Sequence, residues 1–206
     1  MIVVLLPPPL RTPFSLPRAA EELTAQGHTP VFPEIPDDDT APHAARYVAR
    51  ASLEVNRLVG ADSRTVLVAD GDAGPLLGAV GAAQRAAHRP VLGYVLVDAP
   101  LPQPGSPTRD DISRNQELTG LPPRPGEPDS YSTERLPTVP DWPDAPCGYL
   151  LSDRAYAHPA HLAGLRGWEV RDATGGSEYG PGQARAVREE GRAARELAAV
   201  IDEITR

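Results

Sequence analysis

The sequence predicts an α/β protein with a mostly parallel central sheet and helices on both of its faces. Two observations carry this expectation. The apolar runs Ile2–Leu6, 65–69, Val91–Val97 and Cys147–Leu151 are continuous rather than alternating, the pattern of strands buried on both faces. Segments that read as helices separate most of them, which is the order of a parallel sheet built by crossovers. The 206 residues, 40% hydrophobic, are enough for one domain with a substantial core.

Ile2–Leu6 is β-rich and closed by Pro7-Pro8-Pro9, as for a buried strand that ends in a loop. Residues 16–26 follow as a helix, with Ala19, Ala20, Leu23 and Ala25 available for packing and Gly27 as its stop. A short strand is expected over 28–32, an acidic turn over 35–40 and a longer helix over 41–59. The strand at 65–69 is the clearest in the chain. It passes through Asp70-Gly71-Asp72-Ala73-Gly74 into a helix over 75–87 that has proline at its start. Val91–Val97 is the next buried strand. Between residues 101 and 146 the character changes: eleven of the 25 prolines fall there and apolar periodicity is poor. This stretch is either a short Pro-rich lid over the sheet or a partly mobile excursion within the one domain. Cys147–Leu151 resumes the core pattern, followed by a helix over 159–165, a last strand over 168–170 and a terminal helix over 181–204.

Composition excludes several function classes. The formal charge is −8 and the pI about 5.1, so there is no basic footprint for nucleic acid or an anionic membrane. All 20 basic residues are arginine, which removes lysine Schiff-base chemistry. A lone cysteine, Cys147, allows neither an intrachain disulfide nor a cysteine metal site. The first apolar run is too short to span a bilayer and lacks the charged start of a signal peptide, which makes a cytoplasmic location the default expectation.

Strand, tight small-residue turn and helix over 66–80 is the setting of a nucleophile elbow. The Pro8-Pro9-Leu10 loop stands where half of an oxyanion hole is carried. Tyr94-Val95-Leu96-Val97-Asp98-Ala99-Pro100-Leu101-Pro102 and Trp142-Pro143-Asp144-Ala145-Pro146-Cys147 look like segments of small actinobacterial enzymes. On these residues the chain resembles the α/β-hydrolase superfamily over nearly its whole length, least so over 101–140. The resemblance implies that fold and a triad whose acid follows either the fourth strand, at Asp98, or the fifth, at Ser152 or Asp153.

The catalytic match fails at two positions. An elbow needs small residues two before and two after its apex, and only Gly71, between Ala69 and Ala73, meets that demand. Glycine cannot attack anything. The family's histidine belongs in the loop before the terminal helix, which reads Ala173-Thr174-Gly175-Gly176-Ser177-Glu178-Tyr179, and no histidine follows His161. The resemblance therefore implies a degenerate triad and not a standard serine hydrolase.

What the turn gained is acid. Asp70 and Asp72 flank Gly71, and Asp98 ends the neighbouring strand, where open α/β sheets bind ligands. Carboxylates that converge on a pocket floor repel one another and raise a pKa toward neutrality, so Asp98, Asp72 and Asp70 are the candidate catalytic residues. Helix capping is the competing role for Asp70 and Asp72. Leu10, Phe14, Gly71 and Tyr179 are the candidate substrate contacts. Backbone N–H groups at the elbow and near Leu10 are candidates to hold an oxyanion. The five histidines are expected to be solvated or capping; His158 and His161 have helical spacing but no third ligand. Asp37-Asp38-Asp39 reads as a solvated turn, so neither a metal nor a cofactor is expected. The expected function is a non-hydrolytic small-molecule enzyme, a cyclase, lyase, isomerase or dehydratase of secondary metabolism, using carboxylate acid–base chemistry. The alternatives are a pseudoenzyme that binds a ligand or protein and a hydrolase with carboxylate-activated water. The expected partner is a small molecule, with no nucleic acid or membrane; the oligomeric state is not fixed by the sequence.

Overall fold

The computed structural model describes residues 1–36, 39–118, 126–175 and 182–206, with side chains from 190 onward in the last stretch. The strands β1 (Ile2–Leu6), β2 (Thr29–Val31), β3 (Thr65–Asp70), β4 (Val91–Val97), β5 (Cys147–Leu151) and β6 (Glu169–Asp172) form one sheet. Their order is β2-β1-β3-β4-β5-β6 and every pairing is parallel.

The continuous apolar runs follow from burial on both faces. Val4, Leu6, Leu67, Ala69, Leu96 and Tyr149 point to one face, against helices α2 (His43–Leu58), α3 (Leu77–Ala86) and α5 (Ala157–Leu165). Their sequence neighbours Val3, Leu5, Val66, Val68, Val95, Val97 and Leu150 point to the other, against α1 (Ala19–Ala25) and α6 (Gly182–Ile204). Helix α1 has seven residues and no side-chain cap. Its place is held by burial: Leu23 is fully enclosed, worth about 1.5–3 kcal/mol, more than the ~1 kcal/mol a cap supplies.

Several boundaries differ from the sequence expectation. Helix α1 begins at Ala19 rather than at residue 16, and Leu16, as the residue before Pro17, is biased away from the helical region. The turn expected between β3 and α3 is a six-residue 3-10 helix, Gly71–Leu76, which takes in Pro75, so α3 starts at Leu77 rather than at residue 75. Residues 101–118 and 126–146 form a packed cover on the α3 face, with Leu101, Ile112, Tyr131 and Leu136 buried. It carries a helix absent from the expectation, α4 (Arg109–Asn115), started by a reciprocal capping box between Thr108 and Asp111. Glu134 of the cover accepts the first N–H groups of α2, from His43 at 2.6 Å and Ala44 at 3.2 Å. The described part of this segment is thus packed against the core on that side of the sheet. Among the described residues no helix is long and apolar enough to cross a membrane.

The topology sets the place of the site. From β1 the chain moves outward to β2, then returns past β1 to β3 and continues through β4, β5 and β6. The switch in direction opens a crevice outside the carboxyl ends of β1 and β3, where ligands of such sheets bind.

Candidate active site

A cleft of about 380 Å³ occupies that crevice. Its walls are the loop after β1 (Pro8, Thr12, Pro13, Ser15), the end of β3 (Asp70, Gly71), Asp98 after β4, and Ser152, Asp153 and Tyr156 after β5. The lining contains three carboxyl groups and several hydroxyls, with no basic side chain among the described residues.

The elbow forms as its small residues require. Gly71 has φ +51°, a left-handed conformation that glycine adopts without strain. A Cβ there would stand 3.4 Å from the Pro8 ring. Gly74, three residues on, lies so close to the chain after β4 that a Cβ would come within 2.6 Å of the Pro100 carbonyl. The elbow is therefore wedged between the loops that follow β1 and β4.

Asp70 caps β3 and is 2% exposed. It accepts the Ser15 N–H at 2.5 Å and the Ser15 hydroxyl at 2.9 Å, binding the loop after β1 to the end of β3. Its role is a capping one of an unexpected kind, since it holds a distant loop and makes no side-chain cap to the turn that follows it.

Asp98 is 7% exposed and sits at φ +41°. That conformation swings its carboxyl toward β5. Oδ1 accepts two backbone N–H groups, Ser152 at 2.7 Å and Asp153 at 3.0 Å. Oδ2 accepts the Ser152 hydroxyl in a short hydrogen bond. Burial holds the Asp98 carboxyl above the usual carboxylate range, against the opposing pull of the Ser152 hydroxyl and the two N–H groups. The backbone beyond it is fixed by the buried Tyr149 hydroxyl, which donates to the Ala99 carbonyl at 2.9 Å and accepts the Ala99 N–H at 3.0 Å.

The structure brings Asp70, Gly71 and Asp98 together and leaves other expected residues outside the cleft. Asp72 does not line it: its carboxylate accepts the Tyr131 hydroxyl of the cover at 3.3 Å, and its carbonyl accepts the Arg109 guanidinium at 2.8 Å. The 3-10 geometry after Gly71 carries Asp72 round to the side of that cover. Leu10 also lies off the cleft. Leu10 and Arg11 both take positive φ, 62° and 56°, and this kink presents Thr12, Pro13 and Ser15 in its place. Phe14 packs edge-on against Phe32, ring centroids 6.0 Å apart, as part of the α1–α6 side of the core. Tyr179, with Glu178, Ser177 and the second glycine of the loop at 176, lies outside the described residues, as do Asp37 and Asp38. His158 pairs with Glu117 at 3.0 Å and His28 with Asp202 at 3.1 Å, each away from the cleft.

The sequence reading missed Ser15 and saw Ser152 only as an alternative acid position. The usable signal was one of placement: Ser152 directly follows an expected strand, Ser15 lies in the loop after another, and each faces an aspartate at the end of a neighbouring strand.

No family model matches the sequence, and no curated protein does. Solved structures do. An extracellular α/β-hydrolase from a Paenibacillus species, described as sharing structural and functional homology with tobacco salicylic acid binding protein 2, matches with a TM-score of 0.62 and 16% identity, over 100% of this chain and 99% of that one. A Pyrobaculum calidifontis esterase matches at TM-score 0.53 and 16% identity, over 98% of this chain and 75% of its own. ClbQ of the colibactin NRPS/PKS pathway matches at TM-score 0.53 and 12% identity, over 98% of both chains. Identities this low concern the backbone architecture. By its six parallel strands, its strand–elbow–helix unit and these structural likenesses, the chain has the α/β-hydrolase fold.

Proposed function

We propose that the protein is an enzyme acting on a small molecule held in the cleft at the carboxyl ends of the strands, with Asp98 as the group that takes up and returns a proton. The observation that carries this reading is the Asp98 carboxyl itself: nearly buried, in the cleft wall, with its proton affinity raised by burial. A base of that kind is better matched to proton transfer near neutral pH than a solvated aspartate. Gly71 at the apex and the lack of any histidine after His161 favour reactions that need no elbow nucleophile: cyclisation, elimination, isomerisation or dehydration. Water activated by Asp98 would give hydrolysis by the same group.

The test is a proton-abstraction probe. Nitrobenzisoxazole opens when a carboxylate removes its ring proton, and the wild-type protein is expected to open it faster than its Asp98→Asn variant. Loss of a general base lowers such a rate by roughly two to four orders of magnitude. Equal rates in the two proteins would remove Asp98 from the reaction.

A second reading, a protein that binds its ligand without turnover, is favoured by how fully the acids serve the scaffold. Asp70 holds Ser15, and Asp98 holds the first two residues after β5. On that reading ligand binding persists in Asp98→Asn and no proton transfer is seen in either protein.

A further inference from the structure

The two oxygens of Asp98 are not equivalent. Oδ1 is occupied by the N–H groups of Ser152 and Asp153, which donate to it and cannot take its place as proton carriers. Oδ2 has one partner among the described residues, the Ser152 hydroxyl, and the bond is short. Ser152 is half-buried, its N–H and O–H both go to Asp98, and it lines the same cleft as Asp98 and Gly71. With its hydrogen committed to Oδ2, the Ser152 oxygen keeps its lone pairs for an electrophile. A serine hydroxyl in hydrogen-bond contact with a base is the arrangement an activated nucleophile requires.

We propose that Ser152 is a nucleophile activated by Asp98, displaced by two strands along the sheet from the elbow, and that the cleft forms an acyl-enzyme there from an ester or thioester. The inference rests on the reading of Asp98 as a proton acceptor and adds the group whose proton it takes first. In the first step the Ser152 Oγ–carbon bond forms as the hydroxyl proton moves to Asp98 Oδ2. The bond to the leaving alcohol or thiol then breaks, and that group departs with the proton from Oδ2. In the second step an acceptor hydroxyl, amine or water attacks the acyl carbon and gives its proton to Oδ2. The Oγ–carbon bond breaks and the proton returns to Ser152. Nothing is oxidised or reduced, and both residues end as they began. An acceptor within the same substrate makes the product a ring.

Ser15 and Asp70 form the other serine–aspartate pair of the cleft. Ser15 is exposed to solvent, whereas Ser152 is half-buried beside a carboxyl whose basicity burial has raised. That difference selects Ser152.

The experiment is covalent labelling by a fluorophosphonate, read by intact mass and peptide mapping. Ser152 Oγ attacks phosphorus, fluoride leaves and its proton follows through Asp98. One adduct per chain is expected on Ser152, absent in Ser152→Ala, and formed about 100-fold or more slowly in Asp98→Asn, the lower bound for loss of a general base. Labelling is expected to rise with pH through a midpoint above the ordinary carboxylate range, since Asp98 must be ionised to act. Circular dichroism of each variant establishes that it is folded. If either variant unfolds, Ser152→Cys keeps the side chain's size and is expected to react with iodoacetamide in the same Asp98-dependent way. The native Cys147, buried and with its thiol pushed up to about 12, stays silent in that assay. No adduct, an adduct elsewhere, or equal labelling in Asp98→Asn overturns the proposal. If labelling fails while nitrobenzisoxazole opening still depends on Asp98, only the nucleophile falls and the acid–base reading stands.

Discussion

The Tyr131 hydroxyl reaches the Asp72 carboxylate at 3.3 Å, so the second acid of the elbow faces the cover on the α3 side and does not line the cleft. Arg109 completes the latch: it is 8% exposed, stacks 4.3 Å from the centre of the Tyr131 ring, and donates to the Asp72 carbonyl at 2.8 Å. Asp72→Asn keeps the carbonyl contact and weakens the contact to a neutral phenol. It is expected to cost about 0.5–1.5 kcal/mol in urea unfolding, the worth of one ordinary hydrogen bond, and to leave Asp98-dependent proton transfer within a few-fold of wild type. A collapse of that rate in a folded Asp72→Asn protein would return Asp72 to the chemistry.

Asp70 gives a second expectation. Its carboxylate takes two donors from Ser15 while 2% exposed. In Asp70→Asn the amide oxygen can keep the Ser15 N–H and the NH₂ can donate to the Ser15 hydroxyl, so both contacts persist as neutral hydrogen bonds in place of charge-assisted ones. The variant is therefore expected to lose about 0.5–1.5 kcal/mol, on the order of one ordinary hydrogen bond. Hydrogen exchange should show the loss concentrated in the loop after β1. Uniform destabilisation without faster exchange around Ser15 would mean that Asp70 does not hold that loop.

These two acids show what the sequence discloses and where it stops. Four of the strands were legible to the residue or nearly so, because Val and Leu runs buried on both faces have no other reading. The elbow was legible because only Ala69, Gly71 and Ala73 provide the small residues that its sharp turn needs. The direction of Asp72 was not, since it depends on the 3-10 geometry of the turn, which its small residues do not specify. That Leu10 stands off the cleft was hidden for a similar reason: it and Arg11, consecutive non-glycine residues, both take positive φ, and no composition signals that. Helix α4 was hidden by the surrounding prolines, although Thr108 and Asp111 carry the spacing of a capping box.

Gly71→Ser tests whether the elbow alone is sufficient. The added Cβ meets the Pro8 ring at 3.4 Å, ordinary contact, so the site has room for it. The φ of +51° makes any side chain there costly, by roughly 1–2 kcal/mol. The variant is expected to fold with that loss and to add no ester turnover beyond that of the wild-type protein, because no histidine follows His161 to serve as its base. A large gain in hydrolysis over wild type that persists in Gly71→Ser/Ser152→Ala would mean that Asp98, or a residue outside the described ones, can act on the apex.

Asp98 also makes a prediction for stability against pH, with a sign opposite to that of a paired carboxylate. Its pKa in the fold is raised, chiefly by burial, so between the ordinary carboxylate pKa and the raised one the folded state holds more proton than the unfolded state. Stability from this group is present in full below the ordinary range and is lost as pH rises through the raised pKa. Asp172, lowered chiefly by the Thr174 hydroxyl, and Asp111, lowered chiefly by the Thr108 N–H, act the other way and lose their contribution as pH falls. Comparing wild type with Asp98→Asn cancels both, because they are common to the two proteins. The stability difference, wild type minus variant, should therefore decline with rising pH across the window above the ordinary carboxylate range. Its slope is bounded at about 1.4 kcal/mol per pH unit, the limit for one proton. Urea unfolding from about pH 3 to about pH 8 measures it, since that span brackets the expected change. A difference that stays flat, or grows with pH, would show that the three donors on Asp98 outweigh its burial, and that its carboxyl is an anchor for β5 with no proton affinity to lend to a substrate.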